Sequence, residues 1–226
     1  MAKLTWDDSG NKIFETGNKK LTLYKKGTGG TYGAGVAWNG LINFTISNTG
    51  GDETALWADD IKYGSLRANE ECGGTIECYQ TPTEFYGCDG VKELTPGVYV
   101  SGQPREPFGL ACQTTLGNDS SGLSYGYKIH LIYGATASPS ERNYQTINDS
   151  PDANTLSYEY TCTPETCTGF NAVSHIEINS TDFTSTAQKA ALTAFEEVIW
   201  GSSSADARLP LPNEVKTLLT VSNGTT

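Results

Sequence analysis

Residues 122–126 match a catalytic sequence pattern. Gly122-Leu123-Ser124-Tyr125-Gly126 fits the Gly-x-Ser-x-Gly pattern of a nucleophilic serine. In enzymes that use it, a strand precedes the serine and a helix follows, because the serine must stand on a sharp turn. Here the turn-forming residues 118–121 precede the motif, and the alternating pattern Tyr127–Tyr133 follows it. This context indicates a hairpin loop, and we predict no catalytic serine.

The other reactive side chains do not form a recognisable catalytic or cofactor site. His130 and His175 fall on the polar phase of strand patterns. We expect them on a solvent or subunit-contact face, although a satisfied, partly buried position stays open. The glycine-rich stretch Gly27–Gly35 matches neither a phosphate loop nor a dinucleotide fingerprint. No pair among the 26 acidic residues is singled out for glycoside hydrolysis. We therefore predict no enzyme activity and no cofactor.

Six cysteines raise the question of a metal site or a disulfide. They contain no Cys-x-x-Cys pair, and the chain has only two histidines, so the sequence does not favour zinc. Reduced thiols packed as small hydrophobic groups are the expected state. Cys162 and Cys167 flank a short turn-like segment and could bridge it under oxidising conditions. We do not predict that bridge.

Charge and hydropathy exclude several classes of protein. The net charge of −11 repels a phosphate backbone and argues against a usual DNA-binding module. No apolar run approaches the ~20 residues of a membrane-spanning helix. The first eight residues lack the apolar segment of a secretory signal, so we expect folding in a cytoplasm. Residues 1–26 hold six lysines and three acids, a net +3 that leaves −14 for the remainder. This asymmetry is that of a solvated basic tail or of an arm that docks on an acidic neighbour.

Strand patterns dominate the chain. Alternation of apolar and polar residues predicts strands at five places. These are residues 42–47, Phe108–Leu116, Tyr127–Tyr133, Leu156–Cys162 and Ala172–Ile178. Clusters rich in Gly, Asn and Asp punctuate them, among them Asn148–Pro151. We predict a mainly β fold, either a β-sandwich or a partly closed barrel.

One packed helix is predicted over residues 185–200, with an N-cap at Thr184-Ser185 and an end at Gly201. We divide the chain into an N-terminal arm (1–35), a β domain (36–201) and an extended C-terminal arm (202–226) that contains a possible short helix, Asn213–Leu219.

The segment Gly50–Gln80 is predicted as a long loop with a possible helical turn at Thr54–Asp59. Long loops in compact domains are usually functional. It carries exposed-type apolar residues beside many acids, which suits a protein interface. Its candidate contact residues are Leu56, Trp57, Ile61 and Tyr63. The alternative is that Trp57 folds back into its own core.

Eight short segments, spread over nearly the whole chain, follow one another in a recognisable order. They are Gly35–Leu41, Ala58–Tyr63, Cys88–Gly90, Pro107–Leu110, Gly126–Ala135, Ala137–Glu141, Thr146–Ala153 and Ala207–Val215. Each segment alone carries little information. Together they resemble the major tail protein of long-tailed phages, most closely the non-contractile, siphovirus-type tails.

The resemblance implies a tail tube subunit, similar in fold to the tube protein of type VI secretion. Such subunits form rings, usually hexameric, that stack into a hollow conduit for the viral genome. The implied partners are other copies of the chain and the tape-measure, tail terminator and distal tail proteins, with viral DNA passing through unbound. The implied locations are the virion tail and, during assembly, the host cytoplasm. No catalytic residue, cofactor or membrane is implied, and ring number and lumen lining stay open.

Residue roles within a tube follow as hypotheses. An acidic wall would let DNA pass without adsorbing, and the strand edges of one copy could pair with those of the next. The predicted lumen-facing acids are Asp52, Glu53, Asp59, Asp60, Glu70 and Glu71. The predicted contacts between copies are Trp6, Leu56, Trp57, Ile61, Tyr63, Leu209 and Leu211. The alternative function is a virion-associated carbohydrate-binding β-sandwich, because twelve Tyr and four Trp could stack on sugars.

Overall fold

The computed structural model describes residues 4–147 and 152–221. It is mainly β, with 47% strand and 14% helix, as the alternating patterns predict. The strands are β1 (Ile13–Lys26), β2 (Tyr32–Ala37), β3 (Leu41–Gly50), β4 (Glu53–Ala58), β5 (Ile61–Arg67), β6 (Glu70–Cys78), β7 (Lys92–Thr95), β8 (Val98–Val100), β9 (Phe108–Asn118), β10 (Gly122–Ala137), β11 (Leu156–Cys162) and β12 (His175–Asn179). The helices are α1 (Thr186–Trp200) and α2 (Pro212–Leu219). The predicted turn Asn148–Pro151 lies outside the described residues.

Eight strands form one antiparallel sheet in the order β2-β1-β9-β10-β11-β6-β3, with β12 also paired to β10. The hairpins β4–β5 and β7–β8 are separate two-stranded sheets. The turn between β9 and β10 forms because the Asn118 side chain accepts hydrogen bonds from the backbone N–H groups of Ser120 (3.2 Å) and Ser121 (2.6 Å). Ser124 therefore lies at the start of the second strand of a hairpin, as predicted.

The sheet buries both of its faces. Alternate residues of β10 enter two different hydrophobic clusters, Ile132 in one and Leu131 in the other. The first cluster is rich in aromatic rings and centres on Phe85. The second, which we call the helix-side cluster, lies under the two helices. Burial on both faces explains why the middle of β10 is apolar at nearly every position.

Helix α1 confirms the predicted packed helix. Ser185 and Gln188 form a capping box, and Gly201 follows the last turn with φ 82°. The buried residues Leu192, Phe195 and Ile199 repeat at spacings of three and four, so one stripe faces the sheet.

The predicted N-terminal arm over residues 1–35 is wrong from residue 13 onward. β1 lies inside the sheet, between β2 and β9. Leu21 and Leu23 are 2% and 0% exposed. The four lysines at positions 19, 20, 25 and 26 concealed this apolar alternation in the sequence.

Two other organisational predictions are also corrected. The Gly50–Gln80 loop is instead the hairpin β4–β5 followed by the sheet strand β6, and Thr54–Asp59 falls largely in strand β4 and not in a helical turn. The C-terminal arm is not extended up to residue 221, because α2 forms there and Val215 packs into the helix-side cluster. The short helix itself agrees with the prediction for Asn213–Leu219.

Candidate self-association surface

The β4–β5 hairpin has one apolar face. Directly opposed residues of an antiparallel pair project on the same side. The register pairs Thr54 with Leu66 and Leu56 with Gly64, and Ala58 with Ile61 at the tip. The exposed fractions are 40% for Leu56, 64% for Ile61 and 60% for Leu66. Two strands alone cannot bury such a face.

Trp57 and Tyr63 are also exposed, at 69% and 76%, but Trp57 is opposed to Lys62 and so lies on the other side of the hairpin. A bulge shifts the register between Leu56 and Trp57. Because the bulge breaks the period of two, sequence alternation alone could not assign Leu66 to this face, and Leu66 was missed. We call Leu56, Trp57, Ile61, Tyr63 and Leu66 the hairpin patch.

Backbone geometry at the two ends of the hairpin explains where it forms. Asp59 and Asp60 have φ of 50° and 63°, as the two central residues of a type I′ hairpin turn require. At the base, the N–H of Ala68 donates to the carbonyl oxygen of Asp52 at 3.0 Å. Gly50 has φ 83°, and a Cβ there would lie 2.5 Å from the Asn69 oxygen, so the base requires glycine.

The other side of the hairpin is charged. Glu53 accepts hydrogen bonds from Lys62 (2.6 Å) and from Ser65, and both bonds lower the pKa of Glu53. Glu53 is thus paired within its own hairpin. The other five predicted lumen acids, Asp52, Asp59, Asp60, Glu70 and Glu71, are exposed on the hairpin or at its base.

The predicted contact residues outside the hairpin separate into two groups. Trp6 is 76% exposed, so it is available to a neighbour. Leu209 is 3% exposed and packs with the helix-side cluster, as does the half-buried Leu211. The assignment of these two leucines to a contact between copies is therefore wrong for this conformation, because their own chain covers them.

The β7–β8 hairpin is a second exposed apolar element that sequence reasoning missed. Leu94, Val98 and Tyr99 are 71%, 47% and 46% exposed. The Tyr99 ring meets the Tyr86 ring edge-on at 5.0 Å, which ties this hairpin to the body. The turn dipeptide Pro96-Gly97 between short apolar runs was the available sequence signal.

The two end strands of the large sheet differ. β2 is partly covered, since Ala34 bridges to Arg208 and the Gly35 N–H donates to the Ala207 oxygen at 2.7 Å. β3 pairs only with β6 among the strands of the described chain. Its outer edge is thus open to another strand.

Ser124 lies at the edge of a surface cavity. It borders an open cavity of about 410 Å³ with Lys19, Gln113 and Lys189. None of the described residues that line this cavity is a histidine, aspartate or glutamate. A nucleophile and a base within hydrogen-bond reach are the minimum for serine catalysis, and the basic side chains of this lining are Lys19 and Lys189.

The histidines lie together elsewhere. His130 Nδ1 and His175 Nε2 are 3.2 Å apart, and His130 Nε2 is 3.1 Å from the Thr114 hydroxyl. His130 is only 8% exposed, so the expectation of a solvent or contact face is wrong for it. Burial and the nearby His130 lower the pKa of His175. The pair is the satisfied, partly buried alternative that the sequence left open.

Glu15 and Lys128 complete the polar cluster around His130. The Lys128 ammonium lies 3.0 Å from the Glu15 carboxylate and 3.0 Å from that of Glu177. Burial raises the pKa of Glu15, but hydrogen bonds from Thr114 and Lys128 outweigh it, and the pKa is lowered overall. Within residues 4–147 and 152–221, no group of three or more His, Cys, Asp or Glu side chains is arranged to hold a metal ion.

In the part of the chain that the structure describes, no helix is both long and apolar enough to cross a bilayer. A scan against protein-family models finds no match to this chain, and a search of curated proteins finds no relative.

Proposed function

We propose that this chain is a structural subunit that assembles with copies of itself, and that the assembly is the tail tube of a long-tailed phage. The observation that carries self-assembly is the hairpin patch, an apolar surface on an element that cannot bury it alone. The resemblance in sequence supplies the identity of the assembly. An eight-stranded sheet with a helix layer on one face also suits the partly closed barrel expected of a tail-tube subunit.

A second copy is the occupant that charge favours for the hairpin patch. Residues 50–71 contain six acids and two basic residues, a net charge of −4. Residues 1–26 have a net charge of +3, and Lys12 and Lys19 are exposed there. One chain therefore carries both complementary surfaces, which suits a head-to-tail contact that closes into rings or extends as a stack.

The open edge of β3 offers a second kind of contact. Unpaired backbone groups on an edge strand form hydrogen bonds with an incoming strand whatever its side chains are. In the proposed tube, one type of contact closes the ring and the other joins successive rings. The five exposed acids on the hairpin and at its base would then line the conduit or its rim, where like charge keeps DNA from adsorbing.

The test compares leucine-to-serine substitutions at two exposed places on the protein. Leu56→Ser/Leu66→Ser removes two leucines of the hairpin patch, whereas Leu123→Ser removes an exposed leucine (61%) from the β9–β10 hairpin. We expect the wild type and the Leu123 variant to form concentration-dependent polymers in sedimentation and tubes in negative-stain microscopy. The patch variant should remain a folded monomer.

Strictly monomeric wild-type protein at high concentration contradicts the proposal. So do normal tubes from the patch variant. A small particle that binds polysaccharide without polymerising is the result that the carbohydrate-binding alternative predicts.

The acids are tested separately. Neutralising Glu70 and Glu71 with glutamine still leaves a net charge of −2 on residues 50–71, so it should leave polymers intact but slow genome delivery from assembled virions, because the wall then repels DNA less. Unchanged delivery rates would remove these residues from the conduit while leaving self-assembly in place.

A further inference from the structure

Two of the six free cysteines face each other on neighbouring strands. In the antiparallel ladder of β6 and β11, the final pair is Thr161 with Gly73. One more step in the same register places Cys162 opposite Cys72, and both residues lie within their strands. Side chains at directly opposed positions project from the same face.

The spacing of opposed strand positions suits a covalent bond between sulfurs. Opposed Cα atoms in antiparallel sheets lie about 4.5–5.5 Å apart. Disulfides join Cα atoms at about 4.4–6.8 Å. The register therefore places the two thiols side by side on one face, and hydrogen bonding between them shifts the pKa of each.

The other thiols are poorly placed to compete. Cys78, Cys88 and Cys112 are buried, at 0%, 0% and 1% exposure. Cys167 belongs to a turn, where its carbonyl accepts a hydrogen bond from the Phe170 N–H at 3.1 Å. The five-residue separation that suggested a Cys162–Cys167 bridge in the sequence is thus less favourable than the cross-strand neighbour.

A small oxidant can reach the pair. Both Cys72 and Cys162 are half-buried. Cys72 lines an open cavity of about 310 Å³ together with Gly73 and Gly74.

We propose that Cys72 and Cys162 are an oxidisable dithiol site whose disulfide joins β6 to β11. The oxidant is a low-molecular-weight disulfide such as oxidised glutathione. The Cys72 thiolate attacks one glutathione sulfur, forming a mixed disulfide and releasing one glutathione thiolate. Cys162, losing its proton to solvent, then attacks the Cys72 sulfur and releases the second glutathione. Two protein thiols lose two electrons and two protons, and one glutathione disulfide becomes two thiols.

The order of attack follows from the shared hydrogen bond. This bond lowers the pKa of Cys72, since Cys162 donates to the Cys72 sulfur. The same bond, together with burial, raises the pKa of Cys162. The thiolate is the nucleophile in disulfide exchange, so Cys72 reacts first.

The site lies at the root of the β4–β5 hairpin, because β6 begins at Glu70 directly after the hairpin ends at Arg67. A Cys72–Cys162 bond therefore fixes the hairpin base to a second strand. This inference goes beyond self-assembly and stands without it, because bond formation is measured on the monomer.

The test incubates the folded full-length chain with oxidised glutathione, blocks free thiols with N-ethylmaleimide and maps peptides by mass spectrometry. We expect a peptide that joins Cys72 to Cys162. The oxidised chain should unfold about 10 °C higher than the reduced chain, because a cross-link between distant positions restricts the unfolded state. Dithiothreitol should reverse both changes.

Variants separate this bond from others. Cys162→Ser should abolish the cross-link and leave glutathione attached at Cys72, whereas Cys167→Ser should oxidise like the wild type. The proposal is overturned if both thiols of the wild type remain alkylatable after oxidation, or if the mapped bond joins Cys162 to Cys167. The wild-type peptide map decides the matter even if a variant folds poorly.

Discussion

The large sheet and the β4–β5 hairpin use the same types of residue in opposite ways. Trp38 in the sheet region is 3% exposed, and its Nε1 donates to the Gln80 oxygen at 2.9 Å. Trp57 in the hairpin is 69% exposed. Most strands of the large sheet lie between two neighbouring strands, and their faces are covered. In the described chain, β4 and β5 pair only with each other. Burial of an apolar residue is thus decided by what its element can pack against.

The largest effect is expected in the core on one face of the sheet, where Phe85 of the short 3-10 helix Thr83–Phe85 packs. Phe85 is fully buried against Trp38, Phe108 and Tyr158, with ring centroids 4.6, 5.3 and 5.0 Å away. Phe85→Ala should lower the free energy of unfolding by about 3–5 kcal/mol, because the cavity cannot collapse between packed rings. Urea unfolding measures this loss. A change below about 1 kcal/mol would show that the sheet is no better packed than the hairpin.

A glycine comparison sharpens the same contrast. Gly134 has φ 59°, and an added Cβ would lie 2.1 Å from the Thr163 oxygen. Gly97, at the β7–β8 turn, has φ 81° with nothing within 4 Å of such a Cβ. Gly134→Ala should cost about 3 kcal/mol, from backbone strain and the clash together, and Gly97→Ala about 1 kcal/mol, from strain alone. If the two variants lose equal stability in thermal unfolding, the close packing around Gly134 is contradicted.

In the hairpin, stability and assembly should separate. Trp57→Ala removes a large side chain that is mostly exposed, so the free energy of unfolding of the monomer should change by no more than about 0.5 kcal/mol. Polymer formation should nevertheless be lost, because in the proposed assembly a second copy covers this residue. Sedimentation and urea unfolding of one preparation measure both. A large loss of monomer stability would mean that Trp57 packs within its own chain.

A glycine in the turn of the β4–β5 hairpin should stabilise that hairpin. Asp60 has φ 63°, which costs an ordinary residue free energy that glycine does not pay. Asp60→Gly should stabilise the hairpin locally by about 0.5–1 kcal/mol. Amide hydrogen exchange in β4 and β5 measures this as slower exchange. Asp52→Gly, outside the positive-φ positions, is the control, and faster exchange in Asp60→Gly would contradict the turn geometry.

The smallest effect is a pH dependence of the sheet. Because its pKa is lowered in the folded chain, His175 contributes stability above the unfolded value of about 6.5, and the contribution is lost as the pH falls through the folded pKa. His130, Lys128 and Glu177 contribute to the field at this ring. His175→Gln should therefore flatten the loss of melting temperature between neutral and mildly acidic pH. An unchanged slope would contradict the assignment.

Most of the mainly β fold was predictable because apolar and polar residues alternate along several strands. In β11, for example, the buried Tyr158 and Tyr160 alternate with exposed polar residues. It failed at β1, where lysines flank the buried Leu21 and Leu23, since composition masked periodicity. It also failed at β6, where Gly73 and Gly74 resemble a loop. In the structure these glycines allow close approach, because a Cβ at Gly74 would lie 2.0 Å from the Thr45 oxygen.

The candidate site was predictable in part. Trp57 and Tyr63 stand out by residue type, whereas Leu66 required the bulge to be known. Leu209 was expected to be exposed in the extended-looking stretch Leu209–Pro212 but packs under the helices. The Cys72–Cys162 contact joins positions 90 residues apart, a distance set by strand register and invisible to local spacing.

The position of β1 sets the order of events during synthesis. Its inner partner is β9. Ile13 therefore cannot pair until Asn118 has been synthesised, and Lys25 cannot pair until Phe108 has been synthesised. Contacts this distant in sequence close slowly, because the intervening chain must first lose its freedom. While the ribosome makes the residues between them, the first strand has only the β2 side to pair with. We expect the sheet to close late, after β9 and β10 have emerged as a hairpin.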